Sequence, residues 1–154
     1  MITFKTIEPA DEAFSEQVFR STREDELNFT NWPEAQKQMF IKMQSLAQMT
    51  DYKKNYQGAT YQLIIVKKKP AGRLFLWETA NEIRIIDIAL LPNFRGKGIG
   101  RKILTDIIST AKQKNKTVSL HVTSSNPAKK LYESLGFKKI SVDNLHEYME
   151  WKNA

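Results

Sequence analysis

The chain has 154 residues and no cysteine, which excludes disulfides, thiolate metal sites and a cysteine nucleophile. Its 24 Lys and Arg outnumber its 17 Asp and Glu, and the net charge of +7 fits either a solvated basic surface or the docking of a polyanion. No apolar run approaches the roughly 20 residues of a membrane span, and the N-terminus lacks a secretory layout. We therefore expect one cytoplasmic domain over residues 1–154 that has no membrane partner.

The first third of the chain predicts one strand and two helices. Residues 2–7 alternate apolar and polar side chains and predict a strand that ends before Pro9. A helix follows from about Ala10, and a second helix opens near residues 31–34, where proline suits the first turn. The second helix carries an apolar stripe that is typical of a core face: Met39, Phe40, Met43, Leu46 and Ala47.

The rest of the chain predicts further strands and two helices. Apolar runs predict a strand over 61–69, a turn over 69–72, a strand over 72–78 and a central strand over 82–91, buried on both faces. After these come a helix over 99–114, a strand over 118–122, a short helix over 127–135 stopped by Gly136, and a hairpin of 137–142 with 145–151. A meander of strands followed by alternating helices and strands predicts a mixed α/β sheet.

The segment LPNFRGKGIGRKIL (91–104) holds half of the chain's 6 glycines between a predicted strand and a predicted helix: Gly96, Gly98 and Gly100. Basic residues alternate with them: Arg95, Lys97 and Arg101. Glycine accepts positive φ and lets a ligand approach the backbone, and a helix start attracts anions. The loop therefore favours a phosphate or pyrophosphate site, with a tight, closely packed turn as the alternative. Neither the dinucleotide fingerprint nor the Walker pattern fits its spacing.

This loop resembles the acetyl-CoA loop of the GCN5-related N-acetyltransferase (GNAT) superfamily, whose pattern is (Gln/Arg)-x-x-Gly-x-(Gly/Ala), with Arg95, Gly98 and Gly100 in order. NPAKKLYESLGFKKI (126–140) is similar to a second segment of that superfamily, Asn-x-x-Ala-x-x-Leu-Tyr-x-x-x-Gly-Phe. The resemblance spans roughly residues 61–151. It implies the GNAT fold: α/β, with a mixed, mostly antiparallel central sheet of about six to seven strands, flanked by helices and splayed between the fourth and fifth strands.

The resemblance also implies an activity. A GNAT enzyme transfers the acetyl group of acetyl-CoA to a primary amine of a small molecule or peptide by direct attack. Main-chain groups of Ile88, Ala89 and Leu90 would bind the pantetheine arm and the carbonyl oxygen. Tyr132 would protonate the departing thiolate, with core packing as its alternative role. The implied contacts to CoA continue along the loop through Arg95, Gly96, Lys97, Gly98, Ile99, Gly100 and Arg101.

The chain departs from the superfamily pattern just before the second helix of the motif. The superfamily's asparagine falls seven residues before the tyrosine, where this chain has Ser125, and Asn126 lies six residues before it. Either Ser125 or Asn126 takes that role in binding CoA. Asn126 is alternatively only a helix cap before Pro127.

The base that takes the proton of the amine is less clearly marked. Asp87 is the leading candidate, because a carboxylate inside a buried strand is costly unless it is paired or functional. Its alternative role is an ion pair with Arg84 or Arg73, and Glu78 and Glu24 are further candidates for the base.

Histidines and acidic segments add weaker signals. His121 lies on a strand beside the predicted cleft, although a lone strand histidine is more typically a hydrogen-bonded core residue. The acidic residues 21–28 are predicted to border the acceptor pocket, or else to form a solvated helix end. No histidine and carboxylate cluster has metal-ligand spacing, so we expect no metal.

Two other functions remain as alternatives. A basic nucleic-acid-binding module is disfavoured, because the aromatic residues are not interleaved with one basic stripe, and no nucleic-acid partner is expected. The other alternative is a CoA-binding sensor without turnover. The resemblance also implies that the last strand, residues 145–151, can contribute to a homodimer.

Overall fold

The computed structural model describes residues 1–153, and residue 154, the last of the predicted domain, lies outside them. The strands are β1 (Ile2–Thr6), β2 (Thr60–Val66), β3 (Lys69–Glu78), β4 (Glu82–Leu90), β5 (Thr117–Thr123), β6 (Lys138–Asp143) and β7 (His146–Trp151). The α-helices are α1 (Glu12–Ser21), α2 (Glu24–Asn28), α3 (Glu34–Asn55), α4 (Ile99–Lys114) and α5 (Ala128–Ser134). Short 3-10 turns at Pro9–Asp11 and Pro92–Phe94 precede α1 and the glycine loop.

The strands form one mixed sheet in the order β1-β2-β3-β4-β5-β7-β6. β1 is antiparallel to β2, and β7 is antiparallel to both β5 and β6. β4 and β5 are parallel, and their register joins residues 82–85 to residues 117–120. Because β4 continues to Leu90 and β5 to Thr123, this register covers only the first part of each strand. The predicted mixed α/β sheet of the GNAT fold, splayed between its fourth and fifth strands, is confirmed.

The chain divides into two compact units. Unit 1 contains residues 1–75 and 87–95, and unit 2 contains residues 76–86 and the chain from residue 96 onward. Both β3 and β4 contribute residues to each unit. The prediction of one domain over the whole chain stays a prediction.

Unit 1 is organised around a buried arginine on β3. The Arg73 side chain is 2% exposed, and its Nε donates to Oδ2 of Asp87 at 2.7 Å. Its two Nη atoms donate to Oγ of Ser15 at 3.2 Å and to Oε1 of Gln48 at 2.9 Å. The guanidinium carbon lies 4.7 Å from the ring centroid of Phe75. One side chain therefore links β3 to α1, α3 and β4 through hydrogen bonds. All three nitrogens of the buried guanidinium have an acceptor, as buried polar groups in proteins generally do.

The long helix α3 buries a partly polar face, which the sequence did not predict. Its buried residues are Ile41 and Ser45, and Gln48 follows on the same side to meet Arg73. Four residues of the predicted apolar stripe are instead exposed, three of them by 60%, 65% and 68%: Met39, Met43 and Leu46, together with Ala47. The prediction of a core face is wrong for these residues, because the buried guanidinium needs a hydrogen-bond acceptor from the helix that covers it.

Unit 2 places α4 against β5, and the predicted helix over Ile99–Lys114 is confirmed. The apolar residues of α4 recur at helical spacing and are buried: Ile99, Ile103, Leu104, Ile107, Ile108 and Ala111. Alternate residues of β5 and β7 are buried as well: Val118, Leu120, Val122, Glu147, Met149 and Trp151. The predicted closing hairpin is confirmed as β6 and β7.

The turn between β2 and β3 lies three residues before the predicted turn over 69–72, since its two central residues are 67 and 68. Lys67 and Lys68 form it with φ values of 50° and 68°, a left-handed pair that matches the twist of a hairpin. Pro70 and Gly72, which suggested the later turn, lie within β3. Gly72 serves close packing there, because a Cβ on it would come within 2.1 Å of the carbonyl oxygen of Ala89.

We expect Gly72→Ala to lower the free energy of unfolding by about 1–3 kcal/mol or more, because the new Cβ meets the main chain of β4. The control is Gly100→Ala, whose Cβ would approach only Cδ2 of Leu131, at an ordinary 3.8 Å. That variant should keep or gain stability, since alanine favours a helix over glycine by up to about 1 kcal/mol. Urea unfolding measures both, and equal losses would contradict the role assigned to Gly72.

Candidate active site

The loop after β4 enters α4 through two left-handed glycines. Gly96 has a φ of 71° and Gly98, the N-cap of α4, a φ of 82°, so the turn requires glycine at both positions. Within the described chain no side chain hydrogen-bonds to this cap. The N–H of Lys102 donates to the carbonyl of Gly98, so the N–H groups of residues 99–101 precede the first helical bond. These groups give the helix start its partial positive charge.

Gly100 has a different role from the two turn glycines. It lies in the first turn of α4, and a Cβ on it would touch only the side chain of Leu131. Neither backbone conformation nor close packing of the protein therefore explains a glycine at this position. The alternative of a tight turn accounts for Gly96 and Gly98 through their positive φ, although a Cβ on either would meet no other atom within 4 Å. It does not account for Gly100 at the uncapped helix start.

Two of the three basic side chains that are predicted to bind an anion form hydrogen bonds with other groups of the protein. Nε of Arg95 donates to the carbonyl of Leu90 at 2.9 Å, so two predicted CoA-binding residues meet directly. Nη2 of Arg101 donates to Oγ of Ser134 on α5 at 3.1 Å. Lys97 is exposed within the loop. The structure thus brings the basic side chains to the loop, while their contacts with CoA stay predictions.

Asp87, the leading candidate for the base, is ion-paired. Its Oδ2 accepts from Nε of Arg73, and Nη2 of the same guanidinium lies 2.5 Å from that oxygen. Arg84, the other partner considered, donates instead to Oγ of Ser119 at 2.7 Å. The ion pair with Arg73 is thus the alternative role described for Asp87. The role of Asp87 as the base stays a prediction.

The two further acidic candidates are also paired. Oε2 of Glu78 accepts from Nζ of Lys116 at 2.6 Å and of Lys114 at 2.9 Å. These two lysines hold the pKa of Glu78 below its usual value, which weakens it as a base at neutral pH. Glu24 lies 3.4 Å from Nε of Arg20.

The second predicted motif forms the turn and helix after β5. Tyr132 on α5 is 6% exposed, and its ring lies 5.8 Å from that of Phe137. Oδ1 of Asn126 accepts the N–H of Ala128 at 2.9 Å, so Asn126 fills the capping role named as its alternative. Ser125 lies in the exposed turn before it. The roles of Tyr132, Ser125 and Asn126 towards CoA stay predictions.

Glu147 on β7 is a buried acid that sequence reasoning missed. It is 3% exposed, and its Oε2 accepts from Nζ of Lys129 on α5 at 2.8 Å. Lys129 and the hydroxyl of Ser124 lower the pKa of Glu147. Among the described residues its Oε1 has no hydrogen-bond partner. The signal was present in the alternation of β7, where Glu147 shares the buried face with Met149 and Trp151.

His121 is exposed, so the expectation of a core histidine is wrong. Its ring lies 5.1 Å from that of Tyr148, the residue opposite it on β7. Partial burial lowers the pKa of His121, and Arg84 and His146 lower it further by charge repulsion. The uncharged imidazole is therefore the prevailing form at neutral pH.

Residues 1–153 contain no helix that is long and apolar enough to span a membrane. In the same part of the chain, no three histidine or acidic side chains are grouped so that they could hold a metal ion. The predictions of a cytoplasmic protein without a metal stay predictions, as does the role of the acidic residues around α2.

We expect Asp87→Ala to lower the free energy of unfolding by about 3–5 kcal/mol, because it leaves the buried guanidinium of Arg73 without its carboxylate. Adding Arg73→Met should recover part of that loss, since the unpaired charge is then gone. Urea unfolding of both single variants and the double variant measures the coupling. Glu78→Ala, which breaks exposed pairs, is the control and should cost less than about 1 kcal/mol. Additive losses for Asp87 and Arg73 would contradict the pairing.

Comparison with known proteins gives one family. A family model described as an acetyltransferase (GNAT) domain matches residues 12–151. The [ribosomal protein bS18]-alanine N-acetyltransferase of Haemophilus influenzae is 33% identical over 92 residues. This alignment covers 58% of the chain and 63% of that relative, so the chain spans less than two thirds of the length of the relative.

Solved structures of similar fold cover nearly the whole chain. The PaiA N-acetyltransferase of Thermoplasma acidophilum, in complex with coenzyme A, superposes with a TM-score of 0.70 at 20% identity and covers 99% of both chains. The ribosomal-protein-S18-alanine N-acetyltransferase of Escherichia coli has a TM-score of 0.67 at 20% identity over 100% of this chain and 96% of its own. At these identities the likeness describes the fold.

Proposed function

Because the chain belongs to the GNAT acetyltransferase family, we propose that it transfers an acetyl group from acetyl-CoA to a primary amine of a small molecule or peptide. The observation that carries the proposal is the start of α4. There an uncapped row of N–H groups lies beside Gly100, a position at which the fold itself would tolerate a Cβ and does not require glycine. A diphosphate suits this position, because the helix dipole and the basic loop favour an anion of that kind.

The proposed roles follow the chain from β4 into α5. Main-chain groups of residues 88–90 hold the pantetheine arm and polarise the thioester carbonyl. Residues 95–101 hold the diphosphate, and Ser125 or Asn126 adds a polar contact. The link between Arg95 and the carbonyl of Leu90 supports this arrangement, since it joins the end of β4 to the loop.

Acetyl transfer by direct attack needs two proton movements. The acceptor must become a neutral amine, since an alkyl amine with a pKa of about 10.4 is mostly charged at neutral pH. Its nitrogen then forms a bond to the carbonyl carbon while the carbon–sulfur bond breaks. Tyr132 protonates the departing thiolate, a role that suits a phenol with an ordinary pKa of about 10. No acyl-enzyme on sulfur enters this route, because the chain has no cysteine.

We further propose a protein or peptide N-terminus as the acceptor. The relative from Haemophilus influenzae acts on an alanine of a ribosomal protein, and its 33% identity supports this acceptor class. An α-amine has an ordinary pKa of about 7.7–8.0, so its deprotonation at neutral pH costs less than that of an alkyl amine.

We expect the protein to release free CoA thiol when acetyl-CoA is mixed with a suitable amine. The assay follows the thiol with a colorimetric reagent over short peptides that begin with alanine or serine, spermidine, lysine and an aminoglycoside. The alanine peptide should give the highest rate, and mass spectrometry should place the acetyl group on its α-amine. CoA binding by calorimetry without thiol release from any amine would favour the sensor without turnover.

We expect Gly100→Ala to weaken CoA binding by about tenfold or more, equivalent to about 1.4 kcal/mol, because the new methyl group fills the space left for the ligand. Calorimetry with CoA measures the effect. Unfolding of the same sample in urea is the internal control, since the fold itself has room for this methyl group. An unchanged dissociation constant would place the diphosphate elsewhere.

A further inference from the structure

The position of His121 on β5 distinguishes it from the acidic candidates for the base. The register of β5 with β4 ends at residue 120, so His121 is the first residue of β5 beyond the paired part. Its neighbours Leu120 and Val122 are buried, and the alternation of the strand turns His121 to the opposite face. An exposed imidazole therefore lies where two parallel strands stop pairing, which is where a sheet can admit an extended substrate.

The charged groups around His121 come from β4 and β7. On β4, Glu82 accepts from Oγ of Ser119 at 2.5 Å and lies 3.7 Å from Nη2 of Arg84. The guanidinium carbon of Arg84 lies 5.3 Å from the ring centroid of Tyr148, which in turn packs against His121.

On the face of β7 that His121 shares, the titratable groups are His146, Tyr148 and Glu150, while Glu147 lies on the buried face. The hydroxyl of Tyr148 donates to Oε2 of Glu150 at 2.6 Å, and Nζ of Lys152 lies 3.7 Å from Oε1 of that residue. The two carboxylates of this face are thus engaged by hydroxyl groups and cations. Partial burial, and repulsion from Arg84 and His146 after it, lower the pKa of His121, so the imidazole is neutral and able to accept a proton.

We infer that His121 is the base that takes the proton of the acceptor amine, an assignment that rests on the proposed acetyl transfer. Nδ1 or Nε2 of the neutral ring accepts one proton from the ammonium group and passes it to solvent. The amine lone pair then bonds to the carbonyl carbon, the carbon–sulfur pair leaves as thiolate, and Tyr132 protonates the sulfur. The second proton of the nitrogen restores Tyr132 through solvent. An ammonium ion and acetyl-CoA thus give an amide, free CoA and one proton.

The state of Asp87 supports this assignment. Two N–H groups of Arg73 converge on Oδ2 of Asp87, so that carboxylate is engaged in holding a buried cation. Protonating it during turnover would cost the ion pair that orders unit 1. Protonating His121 costs no ion pair, because its neighbours keep their own partners.

The test compares His121→Gln with His146→Gln, since these are the 2 histidines of the chain. The probe is a short peptide that begins with alanine, and thiol release gives kcat/KM from pH 6 to pH 9.5. We expect His121→Gln to lower kcat/KM by about 100-fold at pH 6.5, the usual scale of general-base catalysis. The deficit should shrink to less than about tenfold at pH 9.5, because the α-amine, with a pKa of about 7.7–8.0, is then already neutral. His146→Gln should keep kcat/KM within about threefold of the wild-type value, with at most a small shift of the profile to higher pH, because His146 acts on the pKa of His121 only by charge repulsion.

Each outcome bears on one claim. A deficit of His121→Gln that stays constant with pH indicates a structural role and overturns the assignment. Equal effects of the two histidine variants overturn it as well. Calorimetry with CoA should give the wild-type dissociation constant for His121→Gln. A wild-type protein that releases no thiol with any amine of the panel overturns the proposed function itself, and the base assignment with it.

Discussion

The burial of one guanidinium constrains much of unit 1. Taking Arg73 out of water is costly unless its N–H groups find acceptors, and those come from Ser15, Gln48 and Asp87. The helix above it must therefore present a polar side inward, which leaves its methionines exposed. The same requirement places the carboxylate of Asp87 in an ion pair, although its position inside β4, taken alone, suggests a catalytic role. A structural need in unit 1 thus supports the ion-pair role of Asp87, and its role as a base stays a prediction.

Glycines in the loop before α4 serve two different physical needs. Gly96 and Gly98 adopt positive φ, and an alanine there would be strained whatever the ligand. Gly100 is helical and a Cβ on it would meet only Cδ2 of Leu131 at an ordinary distance, so the fold does not require glycine there. This separation matters because a glycine-rich turn alone is weak support for a ligand site. Stronger support comes from a position where the fold tolerates a methyl group but ligand binding does not. Stability and ligand binding can then both be measured on one variant.

The elements predicted best from sequence were those whose partners lie nearby or whose periodicity is strong. The apolar spacing of α4 and the alternation of β5 and β7 identified these elements because each buries one regular face. The turn at Lys67 and Lys68 was missed, because lysine carries no signal for positive φ. The buried side of α3 depends on Arg73, which is distant in sequence, and the ring that packs against His121 comes from Tyr148 on β7. The spacing of apolar residues along the chain does not reveal contacts between residues that are distant in sequence.

A short continuous stretch of unit 2 carries both proposed proton-transfer groups. His121 near the end of β5 and Tyr132 on α5 are joined by a turn whose geometry is fixed at two points. Asn126 caps α5 through Ala128, and Glu147 holds Lys129 of the same helix from β7. Because the pKa of Glu147 is lowered, this carboxylate stays charged well below neutral pH and keeps the link to Lys129 there. The proposed acid and base are then positioned by one segment that is anchored to α5 and β7.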